Sequence, residues 1–190
     1  LAGRMKSYTH GAESASFTYD AFGHLLSRAK GASTVNYTWN YAIAYPALSI
    51  EDRGNGDLTY DVYTPGGILL YQITPGGAAR HFYHFDESGN TVILTNDAGE
   101  VTDRYAYTPY GSVLAREGAT GNAFSWQGAI GQYDDDGTGL YLMRARWYDA
   151  EGARFLLRDP ARRSSMPTEI NPYAYARANP ENFVDPLGTR

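Results

Sequence analysis

Asp159 and Asp185 are each followed by proline, and two carboxylates brought together have the means to hydrolyse a peptide bond. One of them, ionised, takes a proton from water, while the other, protonated, gives one to the carbonyl or to the leaving nitrogen. Two like charges a few ångströms apart do not ionise together, so proximity itself divides the pair into those two states. Arg158 beside Asp159 supplies a cation that can hold one carboxylate charged or steady an oxyanion. On spacing alone, Asp-Pro is also an ordinary way to start a turn. Asp149 and Glu169 are the carboxylates that stand in if Asp185 is not the second member.

Other groupings carry less chemistry. Asp134-Asp135-Asp136-Gly137 lacks the alternating ligands and closing glutamate of a calcium loop, and reads as a solvated hairpin turn. His81 and His84 are three apart, which on a strand points them to opposite faces and away from a shared metal. The chain has no cysteine, so disulfides and thiolate sites drop out. Nothing pairs a nucleophile with a base, and no metal or cofactor is expected. A formal charge of −5 argues against a nucleic-acid partner, and Arg144 with Arg146 or Arg162 with Arg163 are too short as clusters to change that. No apolar run is long enough to span a bilayer. Leu1 to His10 has neither a starting Met nor a signal-peptide core, so the segment reads as cut from something longer.

The elements that must hold these residues are β-strands. Seventeen tyrosines against three methionines favour aromatic strands over a helical bundle. From Thr34 to Tyr41, Val35, Tyr37, Trp39 and Tyr41 alternate strictly with polar residues, the period of a half-buried strand. Further strands are expected at Leu58–Tyr63, Ile68–Ile73, Arg80–Phe85, Thr91–Thr95, Val101–Tyr107, Ala123–Gln127 and Leu140–Tyr148. Turn signals such as Pro65-Gly66-Gly67 and Glu87-Ser88-Gly89-Asn90 separate them at the spacing of consecutive hairpins. Tyr-Asp recurs at 19–20, 60–61 and 148–149, each read as a strand end whose Asp caps the coming turn. Arg144 and Arg146 share a strand face beside Tyr141 and Trp147, and are expected to bind this region to the repeats. After Pro160 the prolines crowd together and alternation stops, which rules out a run of central strands. Short turns or helical pieces are expected around Pro172 to Ala178.

With the Tyr-Asp repeats, residues 81–186 resemble the core of the Rhs/YD-repeat family. The resemblance rests on Tyr83-His84-Phe85-Asp86-Glu87-Ser88-Gly89, on the block from Thr138 through Arg144-Ala145-Arg146-Trp147-Tyr148-Asp149, and on Arg158-Asp159-Pro160. It continues through Asn171-Pro172-Tyr173-Ala174-Tyr175 and Asn179-Pro180 to Asp185-Pro186-Leu187-Gly188. Two departures stand out: Ala161-Arg162-Arg163 follows the first Asp-Pro where many relatives have x-Gly-Leu, and Thr189 follows Gly188 where they have Leu.

The resemblance implies an all-β array of consecutive antiparallel hairpins, part of a spiral shell, with an irregular proline-rich plug at its C-terminal end. It divides the chain into repeat hairpins at 1–80, core hairpins at 81–160 and the plug at 161–190. It further implies a shell around a C-terminal toxin polypeptide, freed by aspartyl-type self-cleavage that uses Asp159, Asp185 and Arg158 near Gly188 and Thr189. The partners are then upstream shell repeats and the toxin, with self-association through open sheet edges, and the setting is secretion or delivery by a bacterial export system. The competing expectation is a non-catalytic module whose aromatic surface holds carbohydrate or a partner protein.

Overall fold

The computed structural model describes residues 4–10, 13–135, 138–160 and 171–189. Eleven strands run in chain order across one antiparallel sheet, each paired with the one before it. They are β1 (Ser7–His10), β2 (Glu13–Tyr19), β3 (Leu25–Lys30), β4 (Ser33–Asn40), β5 (Ala47–Asp52), β6 (Leu58–Tyr63), β7 (Leu69–Ile73), β8 (Arg80–Phe85), β9 (Thr91–Thr95), β10 (Val101–Tyr107) and β11 (Val113–Glu117). A second, four-stranded meander follows: β12 (Tyr133–Asp134), β13 (Leu140–Met143), β14 (Arg146–Asp149) and β15 (Arg154–Phe155). Among the described residues there is no α-helix. The hairpin array expected from the sequence is what the chain forms.

Alternation decides which face is covered. Val35, Tyr37 and Trp39 of β4 are buried and the residues between them exposed, as period two requires. These side chains join Phe17, Leu25, Leu48, Leu69, Tyr83, Leu94 and Tyr105 in a cluster capped by Phe124 from the loop between the sheets and by Tyr133, Leu142 and Trp147 from the second sheet. The two sheets are also bridged by polar contacts: Tyr37 and Tyr133 share a hydrogen bond of 2.6 Å, and Arg28 pairs with the buried Asp135. On its other face the small sheet carries a second cluster of Trp126, Tyr141, Met143, Tyr148, Phe155 and Tyr175. The β7–β8 ladder crosses residue 80 without a break, with Tyr71 opposite Phe82.

One turn recurs through the large sheet. At Asp20, Thr64, Asp86, Asn96 and Thr108, the side-chain oxygen accepts the backbone N–H four residues on, at 2.8 to 3.1 Å. The glycine three residues on has a φ of 79 to 89°, a conformation an L side chain reaches only with strain. An Asp, Thr or Asn oxygen substitutes for a ladder partner there, which is why those residue types occupy the first place. At four of the five, an aromatic residue precedes the capping residue and a register shift falls at that step, at Tyr19, Tyr63, Phe85 and Tyr107. Such a bulge turns the strand into the corner.

The structure departs from the sequence expectations at several places. Residues 123–127 form no strand; Phe124, Ser125, Trp126 and Gln127 are buried in the loop between the sheets. The stretch from Leu140 to Tyr148 is two strands and not one, because Arg144 takes a φ of 47° and starts a two-residue turn. Tyr41 lies beyond the end of β4, is 54% exposed, and donates its hydroxyl to Asp20 at 3.1 Å. Asp61 does not cap a turn, since it sits inside β6 on the buried face. Asp134 and Asp135 are buried, not solvated: Asp134 accepts from the Ser125 hydroxyl and Asp135 pairs with Arg28; Asp136 and Gly137 lie outside the described residues, as do Arg162, Arg163 and Glu169. A short 3-10 turn at Ala176–Ala178 falls where short turns were expected.

Candidate active site

The turn between β13 and β14 is the platform of the site, and the chain's tail is laid across it. Ala145 donates its N–H to the carbonyl of Leu187 at 3.2 Å, and Arg146 Nε donates to the carbonyl of Gly188 at 2.5 Å. Gly188 has a φ of 64°. A Cβ there would stand 2.1 Å from the carbonyl oxygen of Met143, so the close approach admits glycine alone.

Arg144 anchors the same tail to the large sheet. Its buried guanidinium donates to the carbonyls of Pro46, Ile130 and Pro186 at 2.8, 2.6 and 2.6 Å, and it lies over the ring of Tyr45. Burial pulls this arginine down to about 10, with Tyr63 and Tyr45 opposing the shift.

Arg146 is the centre of the arrangement. Its Nη2 is 3.3 Å from a carboxylate oxygen of Asp159 and 3.3 Å from one of Asp185. Those two oxygens are therefore no further apart than the two contacts laid end to end. Nη1 donates to the carbonyl of Pro172 at 3.1 Å, and the guanidinium lies 3.5 Å from the ring centre of Phe155. Burial lowers its pKa, while Asp159 and Asp185 push it back up. Asp185 is 1% exposed, and its Oδ1 accepts the N–H of Thr189 at 2.9 Å. Asp159 is more open and donates its own N–H to the carbonyl of Pro172 at 3.0 Å.

Of the residues named from sequence, Asp159, Asp185, Gly188 and Thr189 meet around one guanidinium. Arg158 is exposed, and the cation between the carboxylates is Arg146. Asp149 lies at the far end of β14, where it caps the N–H of Gly152 at 3.0 Å. The sequence put Arg144 and Arg146 on one strand face as ties to the repeats; Arg144 makes such a tie, through Pro46, but from a turn. Sequence reasoning missed Arg146 as the central cation; its neighbours Ala145, Trp147 and Tyr148 mark a buried setting, where a charge is held only with partners, but nothing nearby in the sequence names those partners.

Chemically, the peptide bond from Gly188 to Thr189 has its carbonyl oxygen on a guanidinium N–H and its nitrogen's hydrogen on a carboxylate, with a second carboxylate bound to the same guanidinium. Such a bond is polarised and fixed.

No protein-family model matches the chain. It is 28% identical over 92% of its length to the tRNA3(Ser)-specific nuclease WapA of Bacillus spizizenii, of which it spans 7%. It is 38% identical over 58% of its length to double-stranded DNA deaminase toxin A of Burkholderia cenocepacia, of which it spans 8%. The crystal structure of TcdB2-TccC3 superposes on 95% of the chain with a TM-score of 0.70 at 18% identity, using 9% of that longer chain. At that identity the likeness is one of fold.

Proposed function

The chain belongs to the Rhs/YD-repeat proteins as part of a toxin shell-like region, and from that premise we propose that it closes a shell around a C-terminal toxin and cuts the connecting chain once, in cis. The observation that carries this reading is Arg146, which touches both carboxylates and the carbonyl of Gly188. In the reaction, water adds to the Gly188 carbonyl carbon and gives a proton to whichever carboxylate of the pair is ionised. The Arg146 Nε–H stabilises the oxyanion. The protonated carboxyl then supplies a proton to the nitrogen of Thr189 as the carbon–nitrogen bond breaks. Catalytic power need not be high, because a bond fixed in the folded chain reacts at an effective molarity on the order of 10⁵ M.

The division into repeat hairpins before residue 80, core hairpins to 160 and a plug beyond belongs to this proposal, as do export from a bacterium and attachment to upstream repeats. The test is a chain extended past Arg190 by a folded reporter. Intact mass after purification should show the reporter separated, with the shell fragment ending at Gly188, or at Thr189 if the neighbouring bond is cut. A chain that stays whole over days at neutral and mildly acidic pH leaves the non-catalytic surface module as the better reading.

A further inference from the structure

We propose that the tail is a sixth copy of the array's own hairpin turn, and that the cleavage site selects its substrate by that turn. Asp185 and Gly188 are then the specificity-determining residues, and the side chains of Leu187 and Thr189 are not read. The inference rests on the cleavage reading above.

The five hairpin turns share three features, and Asp185 to Thr189 has the same ones. The carbonyl of the first residue accepts the N–H of the glycine three residues on, at 3.3 Å from Gly188 to Asp185 and 2.9 to 3.1 Å in the hairpins. The side-chain oxygen of the first residue accepts the N–H four residues on, here Thr189 to Asp185 at 2.9 Å. The glycine is left-handed in all six.

The sixth differs in two respects that explain why it alone is a substrate. In each hairpin the first residue's N–H also donates to the carbonyl four residues on, at 2.8 to 3.0 Å, and so closes the returning strand. Between Asp185 and Thr189, both among the described residues, that bond is missing, so this turn does not close a returning strand at Thr189. The capping carboxylate of Asp185 also meets Arg146 and, through it, Asp159. Recognition runs through the backbone: Ala145 holds the Leu187 carbonyl, Arg146 holds that of Gly188, and the Leu187 side chain is 41% exposed. A backbone-read turn tolerates changed side chains wherever the turn itself survives.

The test uses the reporter-extended chain. Replacing Pro186 and Leu187 by Glu and Ser, the residues inside the Asp86–Asn90 turn, together with Thr189→Asn, writes a hairpin turn of the array into the tail. This swap should still release the reporter, at a rate within a few-fold of the unaltered chain. Gly188→Ala should slow release by roughly 100-fold, the loss expected for a misplacement of about an ångström, with an unchanged circular dichroism spectrum showing that the sheets are intact. If the unaltered chain cuts and the swap does not, selection by the turn is wrong while cleavage stands. Full-rate cutting by Gly188→Ala also overturns it. An unaltered chain that never cuts removes the cleavage reading and this inference with it.

Discussion

Arg146 on β14 and Asp185 in the tail stand 3.3 Å apart with both side chains 1% exposed. Two charges so buried hold together only as a pair, and taking one away leaves the other in a medium that solvates it poorly. Arg146→Met should therefore lower stability by about 3–5 kcal/mol, read from the urea midpoint at constant m-value. Arg146→Lys keeps the charge but cannot reach Gly188, Pro172 and two carboxylates at once, and should recover less than half of that loss. A change below about 0.5 kcal/mol for the methionine variant, the size expected of a plain surface substitution, shows that the tail is not seated on Arg146.

Asp185→Asn and Asp159→Asn separate chemistry from architecture. Asn96 already caps one of the hairpin turns through its side-chain oxygen at 2.9 Å, so an asparagine at 185 can keep the bond to Thr189 while losing the capacity to take a proton. Both variants should abolish release of an attached reporter and leave the far-ultraviolet spectrum unchanged, whereas Glu169→Gln should release it normally. Continued processing in either aspartate variant, judged by intact mass, would remove that carboxylate from the reaction.

Much of the fold was legible because the array is written locally. Leu58–Tyr63, Arg80–Phe85, Thr91–Thr95 and Val101–Tyr107 are strands with the expected bounds, since short runs rich in β-branched and aromatic residues lie between glycine-bearing turns that fix their ends. Residues 123–127 misled because an apolar run buried between two sheets has the same composition as a strand, and burial there comes from Trp126 packing on Tyr148. Of the Tyr-Asp pairs, those at 19–20 and 148–149 mark turns, while Asp61 lies inside β6, so the pair itself is not the invariant. What recurs is a capping Asp, Thr or Asn with glycine three places on, readable at 20, 64, 86, 96, 108 and 185. Asp159 and Asp185 were legible as candidates from their Asp-Pro settings. Arg146 was not, because its role depends on a tail more than forty positions away folding back onto a two-residue turn.

The glycines of the repeated turn are not equivalent. A Cβ at Gly111 would meet the ring of Trp126 at 2.5 Å, whereas one at Gly99 meets nothing within 4 Å, although both have positive φ. Gly99→Ala carries the left-handed strain alone, about 1–2 kcal/mol. Gly111→Ala adds a collision with a core indole and should lose a further ~1–3 kcal/mol. Denaturant melts of the two variants side by side should show that order, and equal losses would mean that Trp126 yields freely.

Asp61 sets a pH dependence whose sign follows from its burial. It lies inside β6, 5% exposed, and among the described residues neither carboxylate oxygen has a hydrogen-bond partner. Burial raises its pKa well above the usual carboxylate range, the charge of Glu51 adds to that, and Arg53 opposes it. The folded chain thus keeps a proton on Asp61 that the unfolded chain gives up near the ordinary value of about 3.9. Between those two values the folded state binds more protons than the unfolded, so stability must fall as pH rises. The contribution is fully present below the unfolded value and is lost through the raised one. Asp135, also raised by burial and opposed by Arg28, acts in the same direction. Asp61→Asn removes the ionisation and keeps the shape. It should raise stability at pH 8 by about 1–3 kcal/mol, the cost of leaving such a group unsatisfied, and change little at pH 4. Melting temperatures of both proteins across that range provide the check: parallel curves, with no gain for the variant at pH 8, would show that Asp61 is solvated in the folded chain.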